Sequence, residues 1–212
     1  MLKSIHKTVL LLGACALVGL PAWGQQDNGA ATPYHPSIDL GVTYAAERAY
    51  IAPGNCNCFW FNGGGADVAA TFWKGFGVAA ALTGDHASDV TPGVDINKIA
   101  YMAGPRYTYT PSGQKAQRGL GSRWQVFGEG LFGGVHAFDS SFPAATGLRT
   151  SADSFVLQTG GGINLSFSKR LAVRVFEAAY VRTSLPNNAS DVQNDLRLGF
   201  GLSYHIGSGW RR

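Results

Sequence analysis

The chain's 212 residues suffice for one domain or a modest pair; 45% are hydrophobic and only 14% charged, against a usual quarter, and the 29 glycines are about twice the ordinary share. No Gly-X-Y period runs through them, which excludes collagen, and aromatic residues spread along the whole chain exclude a disordered tail. The formal charge is +4; Lys3 and Lys7 lie in a segment expected to be removed, leaving 15 − 13 = +2 with no dense Lys/Arg cluster, so a nucleic-acid partner is excluded.

Lys3, His6 and Lys7 form a basic start, Val9 to Leu20 is a short apolar run, and Pro21-Ala22-Trp23-Gly24 places small residues before Gln25. This order predicts a cleaved export signal over 1–24. The run is well short of the roughly 20 residues a spanning helix needs. Leu12-Gly13-Ala14-Cys15 is similar to a lipobox, so processing at Cys15 is the competing reading; the apolar residues after Cys15 count against it. Elsewhere no stretch reaches spanning-helix length, so any membrane crossing must use strands. Residues 25–36 are expected to be a periplasmic tail, 37–206 a transmembrane barrel and 207–212 a C-terminal tail.

From residue 38 onward one motif recurs: about ten residues of strict alternation, then a break rich in Gly, Asn, Asp, Ser or Pro. Alternation sends successive side chains to opposite faces of a strand. In the first segment Ile38, Leu40, Val42 and Tyr44 oppose Asp39, Gly41, Thr43 and Ala45. In the second, Ala66, Val68, Ala70 and Phe72 oppose Asp67, Ala69 and Thr71; a Lys74-Gly75 turn leads to the third, where Phe76, Val78, Ala80 and Leu82 form the apolar row. The fourth sets Ile99, Tyr101, Ala103, Tyr107 and Tyr109 against Lys98, Met102, Gly104, Arg106 and Thr108. The fifth, 123–137, is less regular, and Gly133-Gly134 predicts a bulge or bend. The sixth sets Phe155, Leu157, Ile163, Leu165 and Phe167 against Gln158, Gly160, Gly162, Asn164 and Ser166. In the seventh, 170–183, Val173-Arg174-Val175-Phe176-Glu177 breaks phase, and a bulge near Val175-Phe176 would return Arg174 and Glu177 to one inner face rather than leave Glu177 toward lipid. The last runs Leu196, Leu198, Phe200, Leu202, Tyr204 and Ile206 against Arg197, Gly199, Gly201, Ser203 and His205.

The connections at 46–63, 84–96, 138–152 and 184–193 read as long, those at 74–75 and 168–170 as very short, and 110–122 as longer and basic. Long outer loops with short periplasmic turns are the habit of outer-membrane barrels. A soluble barrel alternates too, with its apolar face inward. Here the non-apolar face is Gly, Ala, Ser and Thr with single charges, which suits a narrow lumen filled by side chains and makes a poor wet surface. The expected fold is therefore all-β: a transmembrane up-and-down antiparallel barrel of about eight strands.

The alternating segments, the Gly104-Pro105-Arg106-Tyr107 strand and the closing Leu196-to-Ile206 strand resemble the small outer-membrane barrel family with OmpA-like and OmpX-like transmembrane domains. The resemblance spans about 37–206. It implies a bacterial outer-membrane location, contact with outer-membrane lipid and lipopolysaccharide, and insertion by the barrel-assembly machinery. The family usually closes on a terminal aromatic residue that this machinery reads; here Ile206 precedes Gly207-Ser208-Gly209-Trp210-Arg211-Arg212, so either Tyr204 or Trp210 stands in or the signal is weak.

Inward charges are the candidate site: Asp39, Asp67, Arg106, Glu129, Arg174, Glu177 and Arg197, four acids and three bases. A lumen too narrow for bulk water requires them paired. The leading expectation is a polar plug in a protein with a structural or surface-interaction role; the runner-up is a narrow gated pore for ions or very small solutes, and the third a lipopolysaccharide-modifying enzyme. Ser203 and His205 share the last strand's inner face at its periplasmic end, the wrong end for that last chemistry, so no catalytic residue is expected. Cys56 and Cys58 are a candidate disulfide in an oxidising compartment, strained by their one-residue spacing. Phe59-Trp60-Phe61 beside them reads as a loop cluster dipping into the membrane interface. The five histidines lack metal-ligand spacing, so neither metal nor cofactor is expected.

Overall fold

A computed structural model describes residues 37–50, 58–91, 94–111, 123–144, 147–168, 170–187 and 191–207. The expected signal, the tail at 25–36, Cys15, Cys56 and Trp210 lie outside the described residues.

Eight antiparallel strands form one closed ring: β1 Ser37–Tyr50, β2 Cys58–Trp73, β3 Phe76–Thr91, β4 Val94–Tyr109, β5 Trp124–Ala144, β6 Gly147–Ser166, β7 Leu171–Thr183 and β8 Gln193–Ile206. Each pairs with the next, and β8 returns to β1. The register joins the apolar rows of neighbouring strands: Val42 stands opposite both Ala66 and Leu202, and Leu82 opposite both Ala66 and Tyr101. The outer wall is consequently continuous and apolar. Closure also leaves no unpaired strand edge, the one way a sheet satisfies its backbone in a solvent without hydrogen bonds.

Between β2 and β3 the two-residue turn is as expected. Lys74 and Gly75 both take positive φ, 47° and 92°, the twist that closes a tight hairpin. A Cβ at Gly75 would strike the Thr108 carbonyl, so the position also needs the missing side chain. The bulge in β7 falls where the broken phase requires it. Ile163 pairs with Phe176 and Asn164 with Arg174, so Val175 is the extra residue; Val175 and Phe176 are both exposed, while Arg174 and Glu177 both turn inward.

Two expectations are corrected. Gly133-Gly134 carries no bulge: the register passes unbroken through Met102–Gly133 and Tyr101–Gly134 on one side and Gly133–Val156 on the other. Gly134 instead leaves room for the Tyr101 ring, which occupies the space a Cβ would take. The irregularity in β5 lies farther on, where 139–141 stand against Thr150 alone between the Phe138–Ser151 and Phe142–Arg149 pairs, with Asp139 at φ 57°. Second, the described residues of 46–63, 84–96 and 138–152 are mostly strand; of the four segments read as long connections, only 184–193 falls between strands, β7 ending at Thr183 and β8 opening at Gln193. The physical reason is the change of solvent along a strand. Past the apolar band the outward rows carry Arg48, Asn62, His86, Asn97 and Asp153, while the inward rows mix the charges of Glu47, Asp85 and Lys98 with Phe61, Ala87 and Ala137. Apolar residues no longer keep to one outward row, so the period-two contrast disappears, although the ladder continues.

Candidate functional site in the barrel interior

On β1 the inward phase places Asp39, Thr43 and Glu47 four residues apart, each step about 13 Å of strand. These residues mark three levels of the lumen. At the turn end, His205 Nδ1 lies 2.7 Å from Asp39 Oδ1, both side chains buried.

The middle level is built on Arg174. Its Nη1 donates to Asp67 Oδ1 at 2.7 Å, to Glu177 Oε2 at 2.7 Å and to Thr43 Oγ1 at 3.1 Å; Nε reaches Asn164 Oδ1 at 3.4 Å. Arg106 Nη1 donates to the other Asp67 oxygen at 2.9 Å and stands 3.6 Å from Glu129 Oε2. Phe127 lies against both guanidinium groups, whose central carbons are 3.8 Å (Arg106) and 4.8 Å (Arg174) from its ring centroid. The negative face of an aromatic ring attracts such cations.

The loop-end level is separate. Arg197 Nη1 donates to Asp85 Oδ1 at 2.7 Å and to Glu47 Oε2 at 3.3 Å. Lys98 is paired with the other Glu47 oxygen, and its ammonium rests 4.1 Å from the Phe61 ring centroid. Between the two levels is a void with about 20 Å³ open to a water's centre, lined in part by Asp67, Glu129, Glu177 and Arg197; a second, of about 10 Å³, adjoins Glu47, Asp85 and Lys98. Each offers room for about one water.

All seven inward charges read from the sequence face the lumen, but in three groups rather than one network. Asp67, Arg106, Glu129, Arg174 and Glu177 meet at mid-height; Arg197 belongs to the loop-end group, and Asp39 pairs with His205 at the turn end. Glu47 and Asp85 were not anticipated because both fall in segments read as loops. Carrying the phase of Thr43 on to Ala45 and Glu47, and of Thr83 on to Asp85, would have found them. Phe127 had no such signal, since its role depends on arginines from β4 and β7.

The aromatic triplet is also corrected. Phe59, Trp60 and Phe61 lie on β2, so they alternate: Phe61 is buried inside and meets Phe59 edge-on at 5.0 Å, and Trp60 alone is exposed on the outer wall. Cys58 opens β2, with its sulfur 3.7 Å from Arg48 Nη2; Cys56 is outside the described residues.

The outer wall carries an aromatic row at the turn end, with Trp73 stacked on Phe76, Phe76 against Tyr107, and Tyr109 against Trp124. A second group, including Tyr44, Tyr101, Phe132 and Phe155, lies toward the loop end, and Val42, Val78, Leu82 and Leu202 are exposed between them. A water-soluble monomer seldom exposes so large an apolar surface, whereas an apolar band between two aromatic girdles is the lipid-facing surface of a barrel.

No family model matches the chain, and no curated protein matches it. Among solved structures it is similar to Neisserial surface protein A, with a TM-score of 0.54 at 12% identity over 80% of this chain and 96% of that one. It is also similar to Ail, the attachment invasion locus protein of Yersinia pestis (TM-score 0.46, 15% identity, 81% of this chain and 98% of that one). A third similarity is to the N-terminal β-barrel domain of Pseudomonas aeruginosa OprF (0.40, 15%, 80% and 97%). The first of these likenesses bears on fold alone. Together with the closed ring and the apolar outer band, it shows that the chain has the fold of the small eight-stranded outer-membrane barrels, the class its alternating strands resemble.

Proposed function

We propose that the chain is an integral protein of a bacterial outer membrane, exported through a signal peptide over 1–24, with a structural or surface-interaction role and a lumen filled by a polar plug. The observation that carries the plug is the pairing inside: Asp67, Glu177, Glu47 and Asp85 each hold an arginine or lysine at ion-pair distance, with side chains almost wholly enclosed. Desolvating an ion costs several kcal/mol, which only close partners offset. Such pairs resist parting for a passing ion, and an eight-strand lumen has no spare width. Surface interaction is supported by the strands that continue past the apolar band, above all the β5–β6 hairpin, where Leu148 is 73% exposed near the tip. Lipopolysaccharide and outer-membrane lipid would be the immediate neighbours of this wall.

One observation favours the runner-up, a narrow gated pore. Arg197 lines both voids, so a change in its rotamer would alter the space between the two charge levels. Planar-bilayer recording separates the readings. The plug predicts a silent membrane across many confirmed insertions; discrete conductance steps from the unaltered protein would replace it with the pore. Exchanging the β5–β6 tip for a short turn should leave folding intact and change adhesion of the producing cells, and unchanged adhesion would remove that hairpin from the surface role.

A further inference from the structure

The β7–β8 connection leaves its strand facing inward. Val181, Thr183 and then Leu185 are all buried, so the inward phase of β7 continues beyond its last residue. Leu185 belongs to the same buried apolar cluster as Val156, Val181 and Phe142. Phe142 arrives from a different hairpin, beyond the irregularity at Asp139 that resets the phase of β5. Apolar side chains from two hairpins are thus gathered at the loop end of the lumen. The smaller void, with Glu47, Lys98 and Arg197 on its wall, is bounded by Val156 and Val181 of this same cluster.

Gln193 fastens Leu185 in place. Its side-chain oxygen accepts from the Leu185 backbone nitrogen and from Thr183 Oγ1, both at 2.9 Å, and its Nε2 donates to the Leu185 carbonyl at 2.9 Å. A single amide thereby satisfies both backbone groups of a residue that has left the ladder, as a neighbouring strand would. Ser184 is tied in the same way to β6, its backbone nitrogen donating to Ser154 Oγ at 3.0 Å. Thr183 and Gln193 form the last pair of the β7–β8 ladder, so releasing this clasp would break no strand pairing below it.

We infer that Leu185 and Phe142 form an apolar stopper over the loop-end mouth and that Gln193 is its latch. The inference rests on the closed-lumen reading and adds where the outer closure sits and what holds it. Its consequence is electrostatic: the stopper keeps water from the Glu47–Lys98–Arg197–Asp85 group, whose pairing is strong only while dry. Because the latch is three hydrogen bonds at the end of a connection, it is a local element that can open without unfolding the barrel.

Thiol accessibility in the folded protein tests this. With Cys56 and Cys58 replaced by Ser, Val156→Cys reports on the space beneath the stopper and Leu148→Cys on the exposed tip. A small water-soluble thiol reagent should label Leu148→Cys quickly in every background. It should label Val156→Cys slowly, and about tenfold or more faster once Gln193→Ala or Leu185→Gly is added, since labelling follows the open population. Equal rates at Val156→Cys and Leu148→Cys before any latch change would overturn the stopper, as would slow labelling of Val156→Cys in all backgrounds. Gel mobility before and after boiling confirms that each variant is folded, and Val181→Cys replaces Val156→Cys if the latter is not. Silent bilayers with labelling unmoved by the latch would overturn the stopper alone; a conducting unaltered protein would overturn the closed-lumen reading itself.

Discussion

Replacing Arg174 with Met should lower the stability of the folded barrel by about 3–5 kcal/mol, measured as a shift of the urea unfolding midpoint in lipid or detergent. The size follows from what the substitution leaves behind rather than from the bonds it removes. Arg174 is the partner of both Asp67 and Glu177, and it also bonds Thr43 and Asn164. Without it Glu177 has lost its ion pair inside the wall, and Asp67 keeps only Arg106. Met keeps the aliphatic stem of the arginine but not the guanidinium that rests on Phe127, so that ring contact goes together with the charge. A second variant separates the two contributions. Arg174→Met combined with Asp67→Asn and Glu177→Gln leaves Arg106 facing Glu129, one cation and one anion at 3.6 Å. Much of the lost stability should return, because a whole buried set removed together leaves no stranded charge. An effect below about 1 kcal/mol for Arg174→Met alone would mean that these acids are bathed in water, the ordinary value for exposed pairs.

Leu202→Arg should cost about 2–4 kcal/mol, the penalty for arginine on the lipid face at mid-depth, and should reduce the yield of folded protein in lipid vesicles. Leu202 lies midway along the apolar row of β8, is 53% exposed, and is flanked across the ladders by Val42 and Val173. The test is sharp because two solvents give opposite answers. Were this wall bathed in water, an arginine at so exposed a position would change stability by no more than about 0.5 kcal/mol and improve solubility. In lipid the same side chain has no water to reach except by stretching past Tyr204 toward the turn-end rim or past Phe200 toward the loop end.

How much of this was legible in the chain depends on whether the two faces of a strand met different solvents. Where lipid lay outside and side chains inside, as over Leu196 to Ile206, alternation was complete and even the bulge at Val175 was forced by the need to keep Glu177 from lipid. Above the apolar band the outward face turns polar and the inward face mixes charges with apolar residues, so the continuations of β1, β3 and β5 looked like loops, and Glu47 and Asp85 were hidden with them. The fate of Gly133-Gly134 shows a different limit. A glycine pair serves equally for a bend or for a neighbouring ring, and only the register that brings Tyr101 opposite Gly134 decides between them. Partner choice was illegible for the same reason: an inward arginine can be recognised by phase, but that Arg174 takes Asp67 while Arg197 takes Asp85 depends on the closed ring bringing β7 near β2 and β8 near β3.

The most direct measurement is refolding from urea with and without phospholipid vesicles, followed by circular dichroism. With vesicles the chain should acquire a strand spectrum and migrate differently on a gel before and after boiling; diluted into buffer alone, it should aggregate. A monomeric, strand-rich protein that stays dissolved with no lipid or detergent present would contradict an apolar wall turned toward acyl chains.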